Sequence, residues 1–208
     1  MTTLGDDQLR TAHLVASVLL GYPDDRLHGA LPLLAETVAA LPTGEVRAGL
    51  AAFLDHAAAT PPSDLAAHYV ATFDLKRRCC LYLTYYAHGD TRARGAALLR
   101  FKQAFRTAGF ELIDGELPDH LAVVCELSAR GAVREAGYLL QDNRAGLEVL
   151  RRALEEERSP YADVVAAVTA TLPPAGSRHH RAALRLVAQG PPAEEVGLEP
   201  YAATETSR

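Results

Sequence analysis

The sequence predicts an all-α fold, a single-domain helical bundle of about ten helices with a disordered C-terminal tail, and three observations carry that prediction. Alanine, leucine, arginine and glutamate, all good helix formers, dominate the chain. Apolar residues recur at three- and four-residue spacing, the period of one helix face. Punctuation comes from Gly, Pro and short polar clusters. Strands are not legible: the β-branched pair Val164-Val165 lies inside an alanine-rich helical pattern. No repeat of solenoid length is visible.

The periodicity places helices at 7–20, 25–40, 44–59, 63–76, 78–88, 91–109, 118–130, 132–157, 160–171 and 178–189. Gly21-Tyr22-Pro23-Asp24 ends the first helix and offers Asp24 as the next N-cap. Pro61-Pro62-Ser63 opens the fourth helix. Gly89-Asp90 sets a left-handed C-cap residue directly before an N-cap acid. Leu117-Pro118-Asp119 puts proline where a first helical turn tolerates it and an acid where the dipole favours it. After Gln189 the pattern is lost in a segment rich in Pro, Gly and acids. The expected division is a helical domain over 1–189 and a disordered acidic tail over 190–208.

The chain has 208 residues, enough to bury a core without disulfides or metal. No apolar run is long enough for a membrane helix, and the acidic N-terminus MTTLGDDQLR does not resemble a secretory signal. The expectation is a cytoplasmic protein that is not integral to a membrane. Cys79 and Cys80 are adjacent and Cys125 is alone, which fits a reducing compartment. The net charge of −5 gives no general attraction to nucleic acid. It is unevenly spread: from Lys76 to Arg106 there are eight Lys or Arg residues and one acid, Asp90, so this stretch is +7 and the remainder −12.

The same region collects eight of the thirteen aromatics, Tyr69, Phe73, Tyr82, Tyr85, Tyr86, Phe101, Phe105 and Phe110. On a helical wheel Ala97, Leu98, Phe101, Ala104, Phe105 and Ala108 share an arc, and Arg94 projects into it. The 79–86 segment is apolar on nearly every face and reads as a helix surrounded by others. Three tyrosines within five positions point to a face that is apolar yet reachable, because each hydroxyl needs a partner. Such a face suits an amphipathic helix laid into a groove. Core packing explains any single aromatic equally well, and a solvated helix start explains Arg92 better than Arg94.

Five segments in order complete the picture: YVATFD at 69–74, LYLTYY at 81–86, GDTRARG at 89–95, AGFEL at 108–112 and ELPD at 116–119, with an early LLGYP at 19–23. Together they resemble the nitrate reductase molybdenum-cofactor assembly chaperones of the NarJ type, within the TorD/DmsD superfamily of redox-enzyme maturation chaperones. The resemblance covers residues 10–130 well and 131–189 only in helical character. It implies a cytoplasmic, helical, non-enzymatic protein that binds the N-terminal segment of the nitrate reductase catalytic (alpha) subunit. That binding assists insertion of the molybdenum guanine dinucleotide cofactor before membrane docking, with no cofactor held tightly by the chaperone itself. The expected peptide-binding residues are Phe73, then Tyr82, Tyr85, Leu98, Phe101 and Phe105 for the apolar floor, and Arg92 and Arg94 for polar anchoring. Glu116, Asp119 and His120 would complement a basic partner helix, unless the two acids merely cap the helix that follows.

Three rivals stand beside this reading. Catalysis lacks support: the eight histidines are scattered, and no CxxC, P-loop, GxSxG or dinucleotide-glycine pattern is present. A helical DNA-binding regulator would use the basic 76–106 stretch as its footprint. A maturation chaperone for an N- or S-oxide reductase would share fold and mechanism and differ only in client.

Overall fold

Apolar periodicity becomes helix wherever the chain can also bury the stripe it creates. The computed structural model describes residues 4–112, 115–174 and 176–189. Its helices are α1 (Asp6–Leu19), α2 (Asp25–Ala39), α3 (Glu45–Ala59), α4 (Pro62–Tyr69), α5 (Leu83–His88), α6 (Arg92–Thr107), α7 (Leu121–Ala129), α8 (Val133–Asp142), α9 (Arg144–Glu156), α10 (Tyr161–Ala170) and α11 (Ser177–Gln189). The fold is all-α, as the composition predicts, with eleven α-helices among the described residues. The expected tail over 190–208 lies outside them. No helix among the described residues is long and apolar enough to cross a membrane.

The centre is built from α1 against α7 and α3 against α10, with α2 on α3 and α9 joining α10 to α11. Val15, Leu19, Leu50, Phe53, Leu121, Leu147, Leu150 and Tyr161 are fully buried there; each of the aliphatic and phenylalanine side chains contributes about 1.5–3 kcal/mol on burial. The α3–α10 crossing is close because residue 49 is glycine: a Cβ there would stand 2.6 Å from the Asp163 carbonyl oxygen. His13 is also inside, with Nδ1 2.7 Å from Ser128 Oγ and Nε2 3.0 Å from Thr171 Oγ1. Burial lowers its pKa to about 4, so the ring is neutral and both nitrogens are used.

Capping follows the expected chemistry at α2, where the Asp24 carboxylate accepts from the Leu27 amide at 3.0 Å. Gly89 closes α5 at φ +56°, donating to Tyr85 O at 2.7 Å. Elsewhere the elements depart from expectation. The 63–76 helix is α for two turns and then widens to a π turn over Val70–Asp74, where the Leu75 amide donates to Val70 O. Asp90 does not cap α6; Thr91 is its N-cap. The 132–157 helix is two, broken at Asn143, whose side chain donates to Leu139 O instead of continuing the helical pattern.

The largest correction lies at 78–88 and 118–130. Residues 77–79 form one 3₁₀ turn, Cys80 is extended, and Tyr82 pairs with His120 in an isolated antiparallel bridge. The Leu83 amide donates to Asp119 O and the Leu121 amide to Leu81 O, both at 2.9 Å. Helix α5 therefore begins only at Leu83, and α7 at Leu121 with His120 as N-cap residue. Asp119 does not cap α7; its carbonyl accepts from the Leu83 amide and its Oδ2 from Thr84.

Candidate functional site

The bridge places segments that are distant in sequence side by side. Asp119, fully buried, accepts through Oδ2 from the Thr84 amide at 3.1 Å and the Thr84 hydroxyl at 2.5 Å. Arg94 on α6 donates through Nε to Thr84 Oγ1 at 3.2 Å, and its Nη2 lies 3.7 Å from Asp119 Oδ2. Asp90 sits 3.4 Å from Arg94 Nη1 and 3.6 Å from Arg77 Nη2. Residues of LYLTYY, GDTRARG and ELPD thus converge on one buried ionic knot.

The knot is incompletely satisfied. At 3.7 Å the Arg94–Asp119 contact is Coulombic but too long for a hydrogen bond. Arg94 Nη2, Asp119 Oδ1 and His120 Nδ1 are buried without a hydrogen-bond partner among the described residues. Leaving such groups unpaired costs about 1–3 kcal/mol each. Burial pushes the His120 pKa down, against the opposing pull of Glu116 and Asp119.

Tyr82 covers this knot. Its ring meets His120 edge to face at 5.3 Å, and the Arg94 guanidinium carbon lies 5.3 Å from the ring centroid. Its hydroxyl donates to Glu116 Oε1 at 2.8 Å. Burial, reinforced by that carboxylate, raises the phenol well above its ordinary range. Tyr86 secures the extended segment from below, its buried hydroxyl donating to the Arg78 and Cys80 carbonyls.

Beside Tyr82 opens a cleft of about 460 Å³ between the second half of α6 on one side and residues 110–112 with 115–118 on the other. Phe105, Phe110, Leu112 and Leu117 give it an apolar lining, Lys102 and Arg106 stand on one wall, and Glu111 and Glu116 on the other. Glu116 belongs to both the cleft and the knot.

The eleven residues singled out from sequence therefore occupy different places. Tyr82, Arg94, Glu116, Asp119 and His120 come together. Asp119 and His120 are buried beneath the surface in this arrangement. Phe101 and Phe105 are buried, with Phe105 reaching the cleft, and Leu98 and Tyr85 are half-buried. Arg92 is exposed at the start of α6. Phe73 stands apart: its ring lies 4.8 Å from both Tyr69 and Tyr161, in an aromatic cluster that includes Phe53 and the stacked His68. There Tyr69 donates to Leu20 O and meets Tyr22 edge to face, so the LLGYP and YVATFD segments also touch.

Sequence reasoning missed Thr84, the hinge of the knot, because nothing local marks a threonine whose partners lie 10 and 35 residues away. It missed Lys102 and Arg106 because they fall on the polar side of the helical wheel. Among the described residues no three His, Cys, Asp or Glu side chains gather as a metal site. The cysteines are free, and burial raises all three thiol pKa values.

Comparison with known proteins decides the family. The profile described as nitrate reductase delta subunit matches residues 39–167. The chain belongs to the nitrate reductase delta subunit family. It is 31% identical over 162 residues to the probable nitrate reductase molybdenum cofactor assembly chaperone NarJ of Bacillus subtilis, covering 78% of this chain and 88% of that protein. It is 34% identical over 152 residues to the assembly chaperone NarJ of Escherichia coli K12, covering 72% of this chain and 64% of that one. The nitrate reductase-like protein NarX of Mycobacterium tuberculosis is 40% identical over 156 residues, which are 75% of this chain and 23% of its own length. A delta subunit family member of the NarJ type is an assembly chaperone with a maturation role, not a catalyst.

Proposed function

We propose that the chain binds the N-terminal segment of the nitrate reductase catalytic (alpha) subunit in the cytoplasm and holds that subunit open for cofactor insertion before membrane docking. The observation that carries this reading is a cleft with both apolar and charged lining that shares Glu116 with Tyr82 and so adjoins the knot where three motif segments meet. The names of the Bacillus and Escherichia relatives support the client and the cargo. A reversible chaperone needs apolar area for affinity and a polar rim for register. It needs no nucleophile. The molybdenum guanine dinucleotide cofactor is cargo for the client here, and no residue of this chain is assigned to hold it tightly.

The decisive experiment is calorimetric titration with a synthetic peptide of about twenty residues, long enough for a full helix-in-groove contact, taken from the N-terminus of the alpha subunit. One-to-one binding that a shuffled peptide does not reproduce is the expected result. Binding only to the N-terminus of an N- or S-oxide reductase would change the client and keep the chaperone role. Silence toward all such peptides would remove the proposal. DNA binding is the weaker reading, because Lys76, Arg77, Arg78 and Arg94 are already matched by Glu156, Glu157, Asp90 and Asp119.

A further inference from the structure

The basic stretch divides into two parts once folded. Its first part is neutralised: Lys76 pairs with Glu157, Arg78 with Glu156 and Glu157, Arg77 with Asp90, and Arg94 with Asp90 and Asp119. Its second part is not. Helix α6 contains no acid, and Arg100, Lys102 and Arg106 have no ion pair with a described residue. Lys102 and Arg106 are four residues apart on one helix face, exposed, and form one wall of the cleft. Two unmatched cations therefore stand beside the apolar lining of Phe105, Phe110 and Leu117, the last 39% exposed.

We propose that this wall makes the cleft selective for an amphipathic peptide segment that carries carboxylates about one helical turn apart. Its apolar side lies on Phe105, Phe110 and Leu117, and its acids meet Lys102 and Arg106. The opposite wall argues for a peptide over a polyanion. Glu111 and Glu116 repel nucleic acid or clustered phosphates, whereas a peptide can set a cation or a neutral residue against them. The inference deepens the client-binding reading above and rests on it for the identity of the natural occupant.

The test uses fluorescence anisotropy with the full chain and four probes. Three are the alpha-subunit N-terminal peptide as it stands, with its acids changed to amides, and with its acids changed to lysines. The fourth is a designed helix of leucine and glutamate at amphipathic spacing. Two exposed ion pairs should make the acidic peptide bind about three- to tenfold tighter than its amide form, with the gap shrinking as salt is added. The double variant Lys102→Glu/Arg106→Glu changes exposed positions only, and circular dichroism checks its fold. It should lose the acidic peptide and prefer the lysine form, a reversal that simple unfolding cannot produce.

Equal affinity for acidic and amide peptides would overturn the inference while leaving client binding intact. Binding of duplex DNA that competes with the peptide and depends on Lys102 and Arg106 would also overturn it. If the alpha-subunit peptides are silent but the designed helix binds with the same dependence on the two cations, the client reading fails and the charge selection stands. If neither peptide binds, both fall.

Discussion

The centre around His13 and the edge around Asp119 both bury polar groups, but they do so differently. Around His13 the ring is neutral and both ring nitrogens have partners, and of the centre's buried polar atoms the Tyr161 hydroxyl, within the aromatic cluster, has no partner among the described residues. At the edge, a buried carboxylate meets a half-buried guanidinium, three polar atoms lack partners among the described residues, and the chain adopts an extended bridge between helices. The first arrangement is what a bundle needs for stability. The second is costly for stability alone, since an apolar replacement often does as well as a buried ion pair. Its value lies in what it positions: Tyr82, Glu116 and the mouth of the cleft.

The sharpest way to break this comparison is to remove the carboxylate. Asp119→Ala leaves Arg94 facing no buried acid and deprives the Thr84 amide and hydroxyl of their acceptor. A loss of about 3–5 kcal/mol in urea unfolding is expected, since two hydrogen bonds to a buried carboxylate are lost and the Thr84 donors are left unpaired. Asp119→Asn keeps an acceptor for Thr84 and should lose less. A near-neutral Asp119→Ala would mean that the knot holds nothing in place.

The central site is tested by pH. The folded pKa of His13 is about 4 against an ordinary 6.5, so the unfolded chain takes up a proton that the folded chain refuses. The contribution is therefore fully present above pH 6.5 and is lost as pH falls toward 4. It amounts to about 3 kcal/mol across that window. His68 and His120 are also pushed down by burial and add to the loss in the same direction. Thermal melts of the wild type and His13→Gln across this range separate the contributions. The variant should start less stable at pH 7 and show a shallower decline. Parallel curves would show that His13 is not the buried neutral group described here.

Most of the fold was readable locally and part of the site was not, and the bridge shows why. Helix starts such as that after Asp24 are set by side chains three residues away, so the sequence displays them. Residues 79–86 are apolar on nearly every face, and a buried helix and a buried extended segment then look alike. What decides between them is the pairing of Leu81 and Leu83 with residues 119 and 121, a long-range fact. The same pairing displaces the start of α7 from Pro118 to Leu121. Asn143 was a missed local signal, since asparagine's side chain competes with the helix backbone. The family resemblance reached further than periodicity because it drew on the order of segments that turn out to touch. It still did not separate Phe101, which is core, from Tyr82, which is not.

Tyr85 offers the smallest effect on stability and the finest test of how edge and centre differ. Its neighbour Tyr86 is buried, donates to two carbonyls and stands close against Gly146, where a Cβ would come within 3.1 Å of the Tyr86 ring. Tyr85 is half-buried, and its one ring contact among the described residues is with Tyr86, edge to face at 6.0 Å. If the exposed part of the Tyr85 ring serves a partner, Tyr85→Ala should leave the helical signal intact and lower stability by only about 1 kcal/mol. Affinity for the alpha-subunit peptide should fall about tenfold, the scale of an aromatic anchor lost from an interface. Tyr86→Ala should instead unfold or severely weaken the chain, because the extended segment loses the hydroxyl that pins it. Should Tyr85→Ala melt like Tyr86→Ala, Tyr85 is part of the core and the reachable face must be sought at Tyr82 and the cleft alone.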